Sequence, residues 1–384
     1  MGASPQQATI TGIGQTEFSR KSGRSEQQLA CEAVLAACRD AGINAADIDG
    51  MLTFNIDNND ERDVMRGLGV REIRYTMRTP QGGGSSVATL VHAKAAVESG
   101  LCDTIVIWRA MNERSQYRFG QPSAGISPHG HSATMVEFCL PFGAQTPAVW
   151  EVLSAGPYMH RYGVTTEDLG RVAVLLRAHA AANPNAWFHG KPITLEEHQA
   201  SRWIVAPYLR LLDCCQETDG GCAIIVTRHD RARDLKQPPV RILGAEYAFL
   251  YNHEIISDFY EGDLATLPMA ERVTERLASA AGLRPCEAGP ALIYDNFTPQ
   301  VLRQIEGFGF CKRGEAKDYI SDGHMALSGK TPLSPNGGLI GEAYVHGLNN
   351  ITEAVRQVRG TAVNQVNTET AFVGSGIAGA ILGR

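Results

Sequence analysis

Long apolar runs are missing from this chain of 384 residues: stretches such as 223–226 (AIIV) end within a strand's length, far short of the ~20 residues that cross a bilayer. The first residues, MGASPQQATI, have neither a basic segment nor an apolar core, so they do not read as a secretory leader. Gln6 stands where a myristoylation signal needs Ser or Thr. Metal-binding spacing is also absent. The nine cysteines (31, 38, 102, 139, 214, 215, 222, 286 and 311) form no CxxC pair, adjacent Cys214 and Cys215 suit zinc poorly, and the eleven histidines give no HExxH. His129 and His131 lie two apart in a Pro/Gly-rich loop and read as solvated rather than as ligands. A net charge of −6 offers no general attraction to nucleic acid or to an anionic membrane. The expectation is a cytoplasmic protein with reduced thiols, no metal, no cofactor, no membrane span and no nucleic-acid partner.

What is present is apolar surface and backbone freedom. With 43% hydrophobic residues, 40 glycines and only 20% charged residues, the chain suits a large, well-buried α/β enzyme of two or more lobes. It opens with ATITGIGQTEF, a β-rich run ending in glycines. SEQQLACEAVLAACRDAG then reads as a helix: Ser25 and Gln28 have capping-box spacing, Ala30, Val34, Ala37, Cys38 and Ala41 line one face, and Gly42 stops it. A strand follows at 50–54, then a glycine-rich turn feeding a helix (TPQGGGSSVATLVHAKAAVESG), then the apolar strand CDTIVIW. Such alternation marks a layered α/β fold.

Residues from about 110 to 207 break the rhythm with Pro, Gly, His and aromatics around helices such as 166–181, and read as a lid or binding lobe. LLDCCQETDGGCAIIVT follows as an Asp-Gly turn and a buried strand, and the charged residues after it make a linker at 229–238. From Pro239 the pattern restarts. PVRILGAEY answers ATITGIGQTEF, AERVTERLASAAGLRPCEAG answers the first helix, PALIYDNF answers GMLTFN, and GGLIGEAYVHGLNNITEAVRQVRG answers GGGSSVATLVHAKAAVESG. Two copies of one β/α unit are implied, 1–228 and 239–384, the second closed by TAFVGSGIAGAILG. Gly374, Gly376 and Gly379 spell GxGxxG there, but only five residues follow, too few for a dinucleotide site.

Two segments of the second copy, 291–299 (ALIYDNFTP) and 334–350 (SPNGGLIGEAYVHGLNN), each place a tyrosine on a turn just after an apolar run. Loops at strand ends are where chemistry gathers. A strand-end tyrosine also serves as ordinary packing, with a buried ring and a wet hydroxyl.

The duplicated unit, the glycine turn at 82–86, the run SRWIVAPYLRLLDCCQETDGGCAIIVT, the segment YDNF and the segment NGGLIGEAYVHG together resemble the thiolase superfamily over nearly the whole chain. The lipid-transfer-protein (sterol carrier protein) thiolases are the branch most similar. That resemblance implies a five-layered αβαβα fold and a homodimeric core. The departures bear on chemistry. Thiolases of this branch carry a cysteine nucleophile at the start of the first-half helix, where Gly83 aligns to within one residue, and no cysteine lies between Cys38 and Cys102. Their His-Asp-Cys-Phe becomes Tyr294, Asp295, Asn296 and Phe297, and their Gly-His-Pro becomes Ala343, Tyr344 and Val345. Ser85 and Ser86 have no neighbouring base and no GxSxG elbow, so capping the helix suits them better than nucleophilic attack.

Without a nucleophile, a carbon–carbon bond still breaks if the β carbon bears a hydroxyl: a retro-aldol reaction needs one base, one acid and an oxyanion pocket. The pattern resembles the steroid side-chain aldolases of the same group. This implies cleavage of a 17-hydroxy steroid bearing a three-carbon CoA-thioester side chain into propionyl-CoA and a 17-keto steroid. It also implies an OB-fold, zinc-ribbon partner, often fused to a hydratase, in a heterotetramer built on the homodimer. Tyr344 is assigned as base, favoured by a helix starting near Asn350 with Glu353 as capping partner; Tyr294 is assigned as acid, kept protonated by Asp295. His346 is the candidate helper of the base, and Gly337, Gly338, Gly374 and Gly376 are candidates to shape the oxyanion pocket that receives the acyl-CoA. The aromatics Tyr117, Phe119, Phe138, Phe142, Trp150 and Tyr158 suit an apolar acyl pocket, or lobe packing. Two other classes stay open: a non-catalytic acyl-CoA or sterol carrier subunit, and a thiolase or acyltransferase with an unusual nucleophile.

Overall fold

A computed structural model describes residues 7–80, 82–116, 118, 140–251 and 262–384. Tyr117, Phe119, His129, His131 and Phe138 lie outside them. Nine strands form the main sheet: β1 Ala8–Gln15, β2 Gly50–Phe54, β3 Tyr75–Thr79, β4 Thr104–Asn112, β5 Asp219–Arg228, β6 Val240–Tyr247, β7 Ala291–Ile293, β8 Thr370–Gly374 and β9 Ala378–Gly383. Their order is β3-β2-β4-β5-β1-β6-β9-β8-β7. The seam between the copies is the antiparallel pair β1·β6, with Ile10 opposite Val240. Outward from it, each copy repeats one pattern: antiparallel (β1·β5, β6·β9), antiparallel (β5·β4, β9·β8), then parallel (β4·β2, β8·β7). Among the described residues, only the first copy adds a further strand, β3, parallel to β2.

The helices that matter for the site are α1 Glu26–Ala41, α2 Ala88–Glu98, α3 Pro147–Tyr162, α4 Thr166–Ala182, α5 Pro268–Ala281, α6 Thr298–Gly307 and α7 Leu348–Arg359. Side chains alternate across a strand, so each half-sheet has two apolar faces to cover. On β4, Val106 and Trp108 face α1, while Ile105 and Ile107 face inward. On β8, Phe372 packs with Val273 and Leu277 of α5, while Ala371 and Val373 face inward. The inward faces share one core with Leu90 and Val97 of α2 and Ile351 and Val355 of α7. Reading through gives α1, sheet, α2 with α7, sheet, α5, which is the expected αβαβα.

Local signals were partly legible. Ser25 accepts from the Gln28 N–H and Gly42 ends α1 in the left-handed region at φ 77°, and the five face residues are buried. The box is only half formed, because the Gln28 amide donates to Glu32 instead. Asp219 and Gly220 make no turn; they begin β5. Phe18 packs where a Cβ on Gly220 would stand, and the Asp219 carboxylate accepts from the Ser22, Arg114 and Ser115 N–H groups.

Much of the expected lid is core. α3 and α4 pack on α6, and Tyr158 is fully buried with its hydroxyl donating to Glu306 Oε1 at 2.7 Å, so it lines no acyl pocket. Phe142 is 85% exposed, and Trp150 donates its indole N–H to the Ala144 carbonyl. The GxGxxG glycines sit in the β8–β9 hairpin, with Gly374 opposite Gly379, so no helix follows to hold a phosphate. Among the described residues, no helix is long and apolar enough to cross a membrane.

Candidate active site

Tyr294 and Tyr344 come from two loops that the fold brings face to face. Tyr294 follows β7 directly; its N–H donates to the Gly374 carbonyl at 2.9 Å and its carbonyl accepts from the Gln304 amide at 2.6 Å. Tyr344 lies just before α7, and its N–H donates to Thr218 Oγ1 at 3.1 Å. With both backbones clamped, the phenolic oxygens stand 3.4 Å apart. Tyr294 is 5% exposed and Tyr344 is half-buried, so Tyr344 is the outer of the two.

Gly83 is the floor of this pair. A Cβ built on it would fall inside the Tyr294 hydroxyl and ring. A second glycine, Gly347, lets α7 start close by: at φ 81° it is the residue before the first turn, and its missing Cβ would meet Ser86 Oγ and the Tyr294 ring. The helix thus begins at Leu348, near the expected Asn350, but Glu353 bonds Gln357 instead of capping.

Burial raises both phenols well above the ordinary tyrosine value. For Tyr294 Cys215 adds to the rise, the hydrogen bond with Tyr344 opposes it, and Glu113 and then Asp295 add less; for Tyr344 the further causes are Tyr294, Cys215 and Glu113. Desolvation thus works against the helix end at Tyr344 and favours the neutral phenol at both residues.

Asp295 does not point at the phenols. Its carboxylate accepts from the Leu339 and Ile340 N–H groups at 2.8 and 2.9 Å, tying the two tyrosine-bearing loops together, and burial pushes it up to about 7. The glycines offer no open donors. Gly337 N–H donates to the Ser334 carbonyl, Gly338 N–H to Asn336 Oδ1 and Gly376 N–H to Gln304 Oε1, while Gly374 belongs to β8. Gly338 is needed because a Cβ would strike the Asp295 carboxylate, and Gly337 because it would strike Ala180 of α4. These four shape the backbone around the pair, and the N–H groups of Gly337, Gly338 and Gly376 are bonded within the protein.

His346 stands edge-on to Tyr344, with centroids 5.0 Å apart at 74°. Its Nδ1 accepts from Arg109 Nε at 2.9 Å, and Arg109 Nη1 pairs with Asp57 Oδ2 at 2.8 Å. Burial and the Arg109 charge hold its pKa well below the usual histidine value, which favours the neutral ring. Ser85 donates to the Pro80 and Gly82 carbonyls and does not cap α2; the Val87 N–H is capped by Ser375 Oγ from the other half, at 3.2 Å. Glu113, Cys215, Arg109, Asp57 and Ser375 were not picked out from the sequence. The signal for Glu113 and Cys215 is topological: β4 and β5 pair with Asn112 opposite Asp219, which brings the loops beyond both ends to one place. Among the described residues no group of His, Cys, Asp or Glu is arranged to hold a metal ion.

A layered, duplicated fold, with two phenols and a glycine at the positions where the resemblance implies histidines and a cysteine, defines a thiolase-fold protein. Residues 252–382 match the family described as thiolase C-terminal domain-like. The chain is 49% identical to the steroid side-chain-cleaving aldolase of Thermomonospora curvata, covering 100% of this chain and 99% of that one. It is 48% identical to the 17-hydroxy-3-oxo-4-pregnene-20-carboxyl-CoA lyase of Mycobacterium tuberculosis, covering 94% and 93%. A solved structure, the Ltp2-ChsH2(DUF35) aldolase, superposes with a TM-score of 0.92 at 48% identity over 99% of this chain and 98% of that chain. The chain belongs to the steroid side-chain-cleaving aldolase family and is a carbon–carbon lyase of the aldolase type.

Proposed function

We propose that this chain cleaves a 17-hydroxy steroid carrying a three-carbon CoA-thioester side chain into propionyl-CoA and a 17-keto steroid, through an enolate and with no acyl-enzyme. The relative from Mycobacterium tuberculosis, named for a 17-hydroxy-3-oxo-pregnene carboxyl-CoA, supports the substrate class. One observation carries the mechanism: two neutral phenols 3.4 Å apart above a glycine that leaves no room for a thiol.

A resting phenolate at neutral pH costs about 4 kcal/mol even for an unperturbed tyrosine. Burial makes it costlier here. A relay avoids that cost. Tyr344 takes the substrate hydroxyl proton as its own proton passes to Tyr294, and Tyr294 gives its proton to the α carbon. The bond between carbinol and α carbons breaks as the carbinol becomes a ketone. Its electron pair goes to the thioester enolate, which the Tyr294 proton quenches. Base and acid keep the assignment of the residues made above, and no cofactor enters. A DUF35 protein is the proposed partner, as in the similar Ltp2-ChsH2(DUF35) aldolase, on a homodimeric core.

Incubation of the chain, with and without a DUF35 partner, with a 17-hydroxy steroid acyl-CoA in D2O tests this. Propionyl-CoA with one deuterium at its α carbon, a 17-keto steroid and no protein adduct support it. Tyr344→Phe and Tyr294→Phe each lower kcat by on the order of 10²–10⁴-fold with substrate still bound. A covalent acyl adduct would establish the thiolase reading, and binding without turnover the carrier reading.

A further inference from the structure

Arg109 sits on β4 among apolar neighbours, 1% exposed, and the Asp57 carboxylate it pairs with is fully buried. Taking such a pair out of water costs several kcal/mol per ion, and apolar side chains of equal volume usually fill the same space at no loss of stability. Packing therefore does not call for it. What the pair does is visible in its third member. Guanidinium only donates, so the nitrogen that accepts from Arg109 Nε, Nδ1 of His346, carries no proton, and the neutral ring bears its proton on Nε2. His346 is also one of two described non-glycine residues with positive φ, at 48°, a backbone strain that a surrounding contact must hold.

We propose that Arg109, oriented by Asp57, is a positioning residue: it locks His346 as the uncharged Nε2–H tautomer and through that ring holds Tyr344 beside a neutral face. The inference rests on the tyrosine relay above. A relay in which Tyr344 gives and takes a proton needs a neutral phenol, and an imidazolium 5.0 Å away would favour the phenolate and interrupt it. The groups facing His346 are few. Arg109 comes from β4, Asp57 acts from the turn after β2 through Arg109, Phe54 of β2 is apolar, and Tyr344 lies on the same loop. Glu113, Cys215 and Tyr294 act on Tyr344 rather than on the imidazole.

The test combines a spectrum with kinetics. In the full-length chain labelled with ¹⁵N-histidine, the pair of signals lost in His346→Gln should show an unprotonated Nδ1 and a protonated Nε2, unchanged from pH 5.5 to 8. Arg109→Gln should lower kcat by about 10–100-fold with KM little changed, as loss of an orienting partner does. Its kcat should gain a step on the acid side, still below the free histidine value because the ring stays buried, and absent from the wild type. Adding His346→Gln, which keeps an N–H donor and does not ionise, should remove the step. A protonated Nδ1 or a titrating His346 in the wild type would overturn the proposal even where Arg109→Gln fails to fold, and so would a folded Arg109→Gln with wild-type kcat and pH profile. These outcomes are separate from failure of the relay, which is read from Tyr344→Phe turning over at the wild-type rate.

Discussion

The hydroxyl of Tyr294 occupies the space that a side chain on Gly83 would need. The two positions exclude each other: a thiol nucleophile at 83 and a phenol at 294 cannot share this pocket, so a loss of one chemistry and a gain of the other are a single steric event.

Gly83→Ala should therefore cost about 1–3 kcal/mol in denaturant unfolding, the usual penalty of overpacking. In a Tyr294→Ala background the cost should shrink, giving a coupling energy of about 0.5–3 kcal/mol for residues in contact. Additive effects would show that the phenol does not fill the space. Gly83→Cys should lose lyase turnover without forming an acyl adduct, checked by intact mass.

Ser375→Ala tests the link between the halves. Its Oγ caps the Val87 N–H at the start of α2, 288 positions away in sequence, and losing an N-terminal cap costs about 0.5–2 kcal/mol. Ser85→Ala, removing a hydroxyl that donates only to carbonyls among its described bonds, should cost no helix cap. Equal losses would argue against this assignment of the cap.

How much of this could be read without coordinates follows from the range of each interaction. The α1 face, its Gly42 stop and the repeat of strand and helix are written within windows of some twenty residues, and they hold. The two tyrosines were legible because each follows an apolar run, on two different turns of the second copy. The sense of Asp219-Gly220 was not, since whether that pair turns or extends depends on Phe18, on a segment far away in sequence. The same holds for the Ser375 cap and for Arg109, whose partners Asp57 and His346 lie 52 and 237 positions off. The direction of the Tyr344 shift follows from burial, a property of the assembled pocket that the nearby helix start in the sequence does not reveal.

Tyr158 separates pocket from packing. Its buried hydroxyl donates to Glu306, which also accepts from the Ala316 N–H. Tyr158→Phe should lose about 1–3 kcal/mol of stability, the loss of one buried hydrogen bond to a carboxyl that keeps its bond from the Ala316 N–H, with kcat/KM unchanged. A change in substrate selectivity without loss of stability would return this ring to the acyl pocket.

Glu151 of α3 gives the protein a pH dependence with a definite sign. It is 1% exposed, its ion pair with Arg303 is long at 3.8 Å, and burial raises it from the ordinary 4.5 to about 7 against the pull of Arg303. Between those two values the folded chain holds a proton on this carboxyl that the unfolded chain has released. The stability tied to that proton is thus fully present below pH 4.5 and is lost as the pH rises through 7. A shift of this size corresponds to about 3 kcal/mol. Glu151→Gln does not titrate, so the stability of wild type minus that of the variant should fall by about that amount from pH 4.5 to 8. Asp295 and Glu353, also pushed up to about 7, drop out of the difference because both proteins keep them. A difference that stays flat with pH would mean that Glu151 is ionised in the folded chain across the range, with Arg303 outweighing burial.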